Sequence, residues 1–337
     1  MNAGGLRVGV VGLGRIGAFH ARTLAQLDTV SSVTLVDGDL ARAGRLAEEL
    51  QVDAFETPEQ MIAAGLDALV VATSTPSHVP LLELAAHSGI ATFCEKPVAL
   101  DLTTLDRVLD EVDRADLYVQ VGFQRRFDDG YRAAHEAVAS GLLGTLLVLR
   151  AATHDPAPPS SDYVATSGGI FRDLHIHDFD AIRFVTGEDV VEVYAAGAVQ
   201  ETGYFADYGD VDVAVATLRL SGGALAIVSG TRRNPLGYDV RLEVLGTGDN
   251  IAVGVDARSP IRSVEAGAPP LQTPGYANFL ERFGPAYRDE VEAFVETVQR
   301  GGSSSCTLRD ARAALRVALA ADRSREQRRP VSIEEVA

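Results

Sequence analysis

The chain has 337 residues and a formal net charge of −17, from 30 basic and 47 acidic side chains. That length suits two domains, and so acidic a surface repels the phosphates of nucleic acid and of anionic lipid, which excludes both as expected partners. Two cysteines, Cys94 and Cys306, are too few for a disulfide framework and fit a reducing, cytoplasmic compartment.

No basic segment leads into an apolar run at the start, so no secretion signal is expected, and no apolar stretch approaches the roughly 20 residues of a membrane-spanning helix. Instead Leu6–Val11 opens as a buried strand, and the first 120 or so residues alternate strands with helices, the pattern of a parallel sheet covered on both faces. Strands are expected at Leu6–Val11, Ser32–Asp37, Asp67–Ala72, Ile90–Cys94 and Leu117–Val121, with helices starting near Arg15, Leu40, Pro58, Ser77 and Leu102. Thr57-Pro58-Glu59-Gln60 carries an N-cap, a proline at the first helical position and a capping-box glutamine. Ser77 and Asp101 are expected to cap in the same way.

Beyond Gly122 longer strands follow one another at Leu143–Ala152, Val211–Leu220, Ala224–Thr231 and Val240–Gly246, with Ser221-Gly222-Gly223 as a turn. Two helices, about Tyr276–Arg300 and Leu308–Arg325, close the chain. The expected fold is therefore α/β: a Rossmann domain with a doubly wound parallel sheet over residues 1–123, and an α+β domain with a large, mainly antiparallel open sheet over 124–337.

Between the first strand and helix stands Gly12-Leu13-Gly14-Arg15-Ile16-Gly17. In that context the first glycine permits the tight turn, the second lets a pyrophosphate approach the backbone, and the third packs the helix on the strand. The helix N-terminus offers N–H groups to phosphate, and Asp37, about 20 residues on, is placed to hold the adenosine ribose hydroxyls. Asp37 would also repel a 2′-phosphate by up to about 4 kcal/mol at ~4 Å and an effective dielectric of ~20, which favours NAD over NADP. Arg42 is close enough in sequence to reach that phosphate, though a solvated helix position is its ordinary role.

At the end of the fourth of these strands lies Glu95-Lys96-Pro97, where open parallel sheets bind ligands. Of the 30 basic residues 29 are arginine, and Lys96 is the one lysine. A chain that uses arginine nearly everywhere keeps an ammonium where a compact, mobile point charge is needed. Thr73-Ser74-Thr75 and His78 follow another strand end and are expected along the nicotinamide side of the cofactor. Further on, Gly168-Gly169 precedes an apolar periodicity that predicts a helix, on which Asp173 and His177 stand four residues apart on one face, a carboxylate and imidazole suited to general-base chemistry. His175, two positions away, should point elsewhere. A metal bound by His175, His177 and His154 would need converging geometry that this helix does not provide, and no metal is expected.

The glycine fingerprint, Glu95-Lys96-Pro97, Gly122-Phe123-Gln124-Arg125-Arg126-Phe127 and Gly168-Gly169 with Asp173 and His177 together resemble the glucose-fructose oxidoreductase/inositol dehydrogenase (Gfo/Idh/MocA) family, and within it the inositol 2-dehydrogenase branch. The resemblance continues through Tyr238-Asp239-Val240-Arg241-Leu242-Glu243 and Ala286-Tyr287-Arg288. It implies NAD-dependent oxidation of a secondary hydroxyl of a cyclitol, with Lys96, Asp173 and His177 as catalytic triad and His177 as base. It also implies substrate contacts from Arg126 and Asp155, and a dimer or tetramer built through the large sheet; His154 and Lys96 are expected to add polar groups for further hydroxyls. A pyranose dehydrogenase, an NAD-dependent glycosidase and a ligand-sensing regulator are the alternatives on the same fold.

Overall fold

The computed structural model describes residues 5–336 apart from 202, 269 and 272. The chain runs β1 (Leu6–Val11), α1 (Arg15–Leu24), β2 (Val30–Val36), α2 (Leu40–Leu50), β3 (Asp53–Ala54), α3 (Pro58–Ala63), β4 (Ala68–Val71), α4 (His78–Ser88), β5 (Ala91–Glu95), α5 (Leu102–Arg114) and β6 (Val119–Gly122). It continues through α6 (Asp129–Ala139), β7 (Leu146–His154), α7 (Ser161–Ser167), α8 (Ile170–Asp173), α9 (Ile176–Thr186), β8 (Val190–Ala198), α10 (Tyr204–Asp207), β9 (Val213–Leu220), β10 (Leu225–Thr231), β11 (Asp239–Gly246) and β12 (Asn250–Val253). The long helices α11 (Phe279–Arg300) and α12 (Leu308–Gln327) and the short β13 (Val331–Ser332) complete it. No described helix is long and apolar enough to cross a membrane.

The first sheet has the order β3-β2-β1-β4-β5-β6, and every pairing in it is parallel. This is the doubly wound arrangement, with strand order reversing beside β1 and the carboxyl ends of β1, β4 and β5 on one edge. β4, and β1 beyond Arg7, are apolar because helices cover both faces: Val8, Val10, Leu69 and Val70 are fully buried. Local chemistry starts the helices as expected at Thr57, which accepts from the Gln60 amide, and at Asp101, which accepts from the Thr104 amide. Two details differ. Ser77 makes no side-chain cap bond, and the Gln60 side chain accepts from the Glu56 amide, one residue before the capping-box position.

The second sheet has the order β12-β11-β7-β10-β9-β8-β13 and is antiparallel except for the parallel pair β7–β10. Strict alternation in β9 buries Ala214, Ala216, Leu218 and Leu220 on one face, with exposed residues between them, as expected of a sheet covered on one side only.

The chain packs as two units: the described part of Met1–Gln124 with Pro285–Arg312, and Arg125–Gly284 with the described part of Ala313–Ala337. A single cut after residue 123 therefore does not reproduce the division. The reason is α11, whose Val291, Phe294 and Val295 are fully buried in one cluster with Val8, Val10, Leu35 and Phe93 of the first sheet.

Candidate active site

In the first unit the turn after β1 is built for close approach. Gly12 has φ +89°, and a Cβ there would lie 2.7 Å from the backbone of Ala72 and Thr73. A Cβ on Gly17 would meet the Gly12 carbonyl at 1.8 Å, so helix and turn pack backbone to backbone. At Gly14, by contrast, a Cβ would meet nothing within 4 Å. Gly14 is the N-cap of α1 and makes no side-chain cap bond, the usual form of a helix start that receives an anion. These features fit the pyrophosphate of a dinucleotide.

Asp37 is buried at the end of β2, where one carboxylate oxygen accepts from the Leu13 amide at 2.6 Å and the other from the Asp39 amide at 2.7 Å. It therefore ties the glycine turn to the neighbouring strand. The half-exposed Arg42 lies against it, its NH1 3.2 Å from both oxygens. Arg42 is thus an ion-pair partner of Asp37, not merely a solvated helix residue, and it offsets part of the repulsion of a 2′-phosphate. Wild-type protein is expected to bind NADP at least about tenfold more weakly than NAD, the residue of a few kcal/mol of repulsion after that offset. Asp37→Ser should narrow the gap in a direct titration of both cofactors; equal affinities in the wild type would contradict the role given to Asp37.

Thr73, Ser74 and Thr75 follow β4, partly or fully exposed. His78 is not exposed at the helix start. It is buried, with Nδ1 2.9 Å from the Pro97 carbonyl and Nε2 3.0 Å from the Thr73 carbonyl. Burial pushes its pKa down, so the ring carries one N–H and serves one carbonyl at a time. Both nitrogens face carbonyls of the loops after β4 and β5. Lys96 is partly buried in the second of those loops. Glu95 is buried, and its carboxylate takes a 2.8 Å hydrogen bond from His20.

In the second unit the helix expected after Gly168-Gly169 is interrupted. α8 ends at Asp173 and α9 begins at Ile176; both the Leu174 and the His175 amides donate to the Ile170 carbonyl. Asp173 and His177 therefore stand on two short segments, not one regular helix face. The buried Asp173 accepts from the Tyr163 hydroxyl at 2.7 Å and from Arg232 at 2.8 Å. Arg232 also donates to Asp155 at 3.1 Å, so one buried guanidinium bridges two carboxylates predicted from sequence. Burial opposes its charge, but Asp173 and Asp155 outweigh that and raise its pKa. The charge of Asp173, with burial, likewise raises the Tyr163 phenol well above its ordinary range, keeping it a hydrogen-bond donor.

His154, at the end of β7, points Nδ1 at the Thr231 hydroxyl, 3.1 Å away, while that hydroxyl donates to the Arg233 carbonyl. Nδ1 therefore carries the proton and Nε2 is left as an acceptor; burial pushes the ring's pKa down. His175 is fully buried, with Nδ1 2.9 Å from Asp178. A Cβ on Gly230 would lie 2.4 Å from its ring. His177 is partly exposed.

The expected substrate contact from Arg126 is not supported by its position. Its guanidinium is buried in a two-point pair with Asp180, at 2.9 and 2.6 Å, and lies over the Phe184 ring. Arg125 is likewise buried against Asp178, at 2.5 Å, and Thr153, at 2.9 Å. Sequence reasoning missed Tyr163 and Arg232, whose partners lie 10 and 59 residues away. A signal for the arginine pairs was present: Asp178 and Asp180 interrupt an apolar helix, and buried carboxylates require cationic partners.

Residues 6–123 match the oxidoreductase family with an NAD-binding Rossmann fold, and residues 131–252 match the GFO/IDH/MocA C-terminal domain. The chain is 38% identical over 334 residues to the myo-inositol 2-dehydrogenase of Thermotoga maritima, covering 98% of this chain and 99% of that protein. A crystal structure of a probable dehydrogenase from Thermotoga maritima superposes with a TM-score of 0.92 at 37% identity, covering 98% of this chain and 100% of that one. The scyllo-inositol dehydrogenase of Lactobacillus casei, solved with NAD(H) and scyllo-inositol, superposes with a TM-score of 0.89 at 29% identity, covering 98% and 99%. The chain therefore belongs to the GFO/IDH/MocA family and is an NAD-dependent oxidoreductase.

Proposed function

We propose that the protein oxidises one secondary hydroxyl of a cyclitol, myo-inositol or a close relative, to the ketone. The observation that supports this most is the bridge from Asp155 through Arg232 to Asp173, with Tyr163 and His154 in the same unit. It fixes two carboxylates and a phenol, and His154, held by Thr231, adds an imidazole acceptor, polar groups suited to a ring carrying several hydroxyls. The relatives named for myo-inositol and scyllo-inositol support the same substrate class.

Bound NAD supplies the hydride acceptor. His177 takes the hydroxyl proton, and it is the better candidate of the two neighbouring histidines because it is partly exposed while His175 is sealed against Asp178. Lys96 stabilises the oxygen as negative charge develops on it. Asp173, held by Tyr163 and Arg232, provides the negative field in which His177 becomes positively charged.

A panel of cyclitols and pyranoses with NAD, followed by absorbance of the reduced cofactor, tests the assignment. Myo- or scyllo-inositol should turn over, and deoxy analogues should lose about 10⁴-fold because they leave buried polar groups unpaired. Turnover of pyranoses alone, or of simple aliphatic alcohols equally well, contradicts it.

The same reading includes a homo-oligomer. Tyr194, Val215, Leu225 and Ile227 are 40–49% exposed on adjacent strands of the second sheet, an apolar surface suited to a second copy. Ile227→Glu should lower the mass measured by light scattering; a monomeric wild type would contradict the oligomer.

A further inference from the structure

The first unit contains a buried acidic pair that the chemistry above does not use. Glu290 lies on the apolar face of α11, one residue before Val291 and four before Phe294, and all three are fully buried. Both Glu290 side-chain oxygens lack a hydrogen-bond partner among the described residues. One of them lies within 4.8 Å of ligand atoms of both Glu95 and His20. His20 Nε2 is 2.8 Å from Glu95 Oε1, and His20 Nδ1 has no partner among the described residues. The proton of the ring is therefore on Nε2, donated to Glu95. Tyr287, on the same helix as Glu290, packs edge-on against His20.

Two ionised carboxylates here would face each other in an apolar core, which is strongly unfavourable unless one takes up a proton. A divalent cation is the other means of neutralisation. Its ligand atoms, at about 2.0–2.2 Å from the ion, would sit roughly 3.3–3.5 Å apart in a tetrahedral site. The 2.8 Å between His20 and Glu95 is a direct hydrogen-bond distance. Space around the pair is also limited, since a Cβ on Gly122 would lie 3.0 Å from Glu95 Oε2.

We propose that Glu290 is held as a neutral carboxylic acid beside Glu95, and that the Glu290–Glu95–His20 cluster fixes the end of β5 from which Lys96 leaves. Glu290 is on this account a positioning residue. Burial, reinforced by Glu95, raises its pKa well above the carboxylate range. A carboxyl raised in the folded state stabilises fully below its unfolded pKa of ~4.3, and that contribution is lost as pH rises through the folded value. The titratable groups facing it are Glu95 and His20.

The role assigned to Lys96 rests on the proposed function, but the protonation state does not, and the two are tested separately. Infrared difference spectra of wild type against Glu290→Gln should show a protonated-carboxyl C=O band, shifted in D₂O and missing from the variant. Glu290→Gln, which retains a neutral donor, should fold, lose part of the decline in melting temperature with rising pH, and keep kcat within about threefold. Glu290→Ala should lose at least about tenfold in kcat with little change in KM. Absence of the band, failure of Glu290→Gln to fold, or a stoichiometric divalent metal in the purified wild type would each overturn the proposal. If the band is present but Lys96 variants are fully active, the cluster stands and the catalytic reading of Lys96 fails.

Discussion

Lys96→Arg should fold, keep its NAD affinity within a few-fold and lose at least about 100-fold in kcat, the scale of loss for a catalytic group misplaced by ~1 Å. Every other basic position in the chain is arginine, so a merely solvated Lys96 would accept the change silently. A planar guanidinium delocalises its charge and is wider than the ammonium it replaces. It cannot take the same place against a developing alkoxide. Steady-state kinetics with a cyclitol, alongside an NAD titration, separates the outcomes: lost kcat with retained cofactor binding is expected. More than half of wild-type kcat would make the lone lysine an accident of composition.

The second large effect is on stability. Arg232→Met should destabilise the protein by about 3–5 kcal/mol at pH 7, the usual result of removing one partner from a buried ion pair. Arg232 is buried between Asp173 and Asp155, at 2.8 and 3.1 Å. Its removal leaves two carboxylates facing each other without a cation. Their pKa values in the folded variant should then rise, so the deficit should shrink as pH falls toward the unfolded value of ~3.9 and widen as pH rises above it. Arg232→Lys should recover only part of the loss, because a single ammonium cannot span both carboxylates as the guanidinium fork does. Urea unfolding at pH 5 and pH 7 measures the difference. A loss under about 1 kcal/mol, with no dependence on pH, would show that the bridge contributes no more than a surface pair.

The first sheet was legible because its punctuation is local. Glycines, caps and a proline at the first helical position mark the β–α junctions, and β1 and β4 carry apolar runs at Val8–Val11 and Ala68–Val71. The second unit was less legible. β8 reads Val-Val-Glu-Val-Tyr-Ala-Ala-Gly-Ala, and its small residues give a weak strand signal. β3 and β13 have two residues each and exist through their pairing with β2 and β8. The division into units was hidden because α11 belongs to the first core although it follows the second sheet. At the site, Asp37, Asp155 and Asp173 could be named from sequence, but their partners could not. Arg42 was named for the cofactor without Asp37 as its partner, Arg126 for the substrate without Asp180, and Tyr163 and Arg232 gave no local cue. Such contacts depend on tertiary distance, which periodicity and spacing do not encode.

The central claim is direct hydride transfer from a cyclitol carbon to NAD. Incubating the protein with NAD and myo-inositol deuterated at every ring carbon, then analysing the cofactor by mass spectrometry and proton NMR, tests it most directly. The account predicts net formation of reduced cofactor carrying one deuterium at nicotinamide C4, matched mole for mole by a keto-cyclitol. No deuterated reduced cofactor from myo-inositol or from any other cyclitol would contradict it.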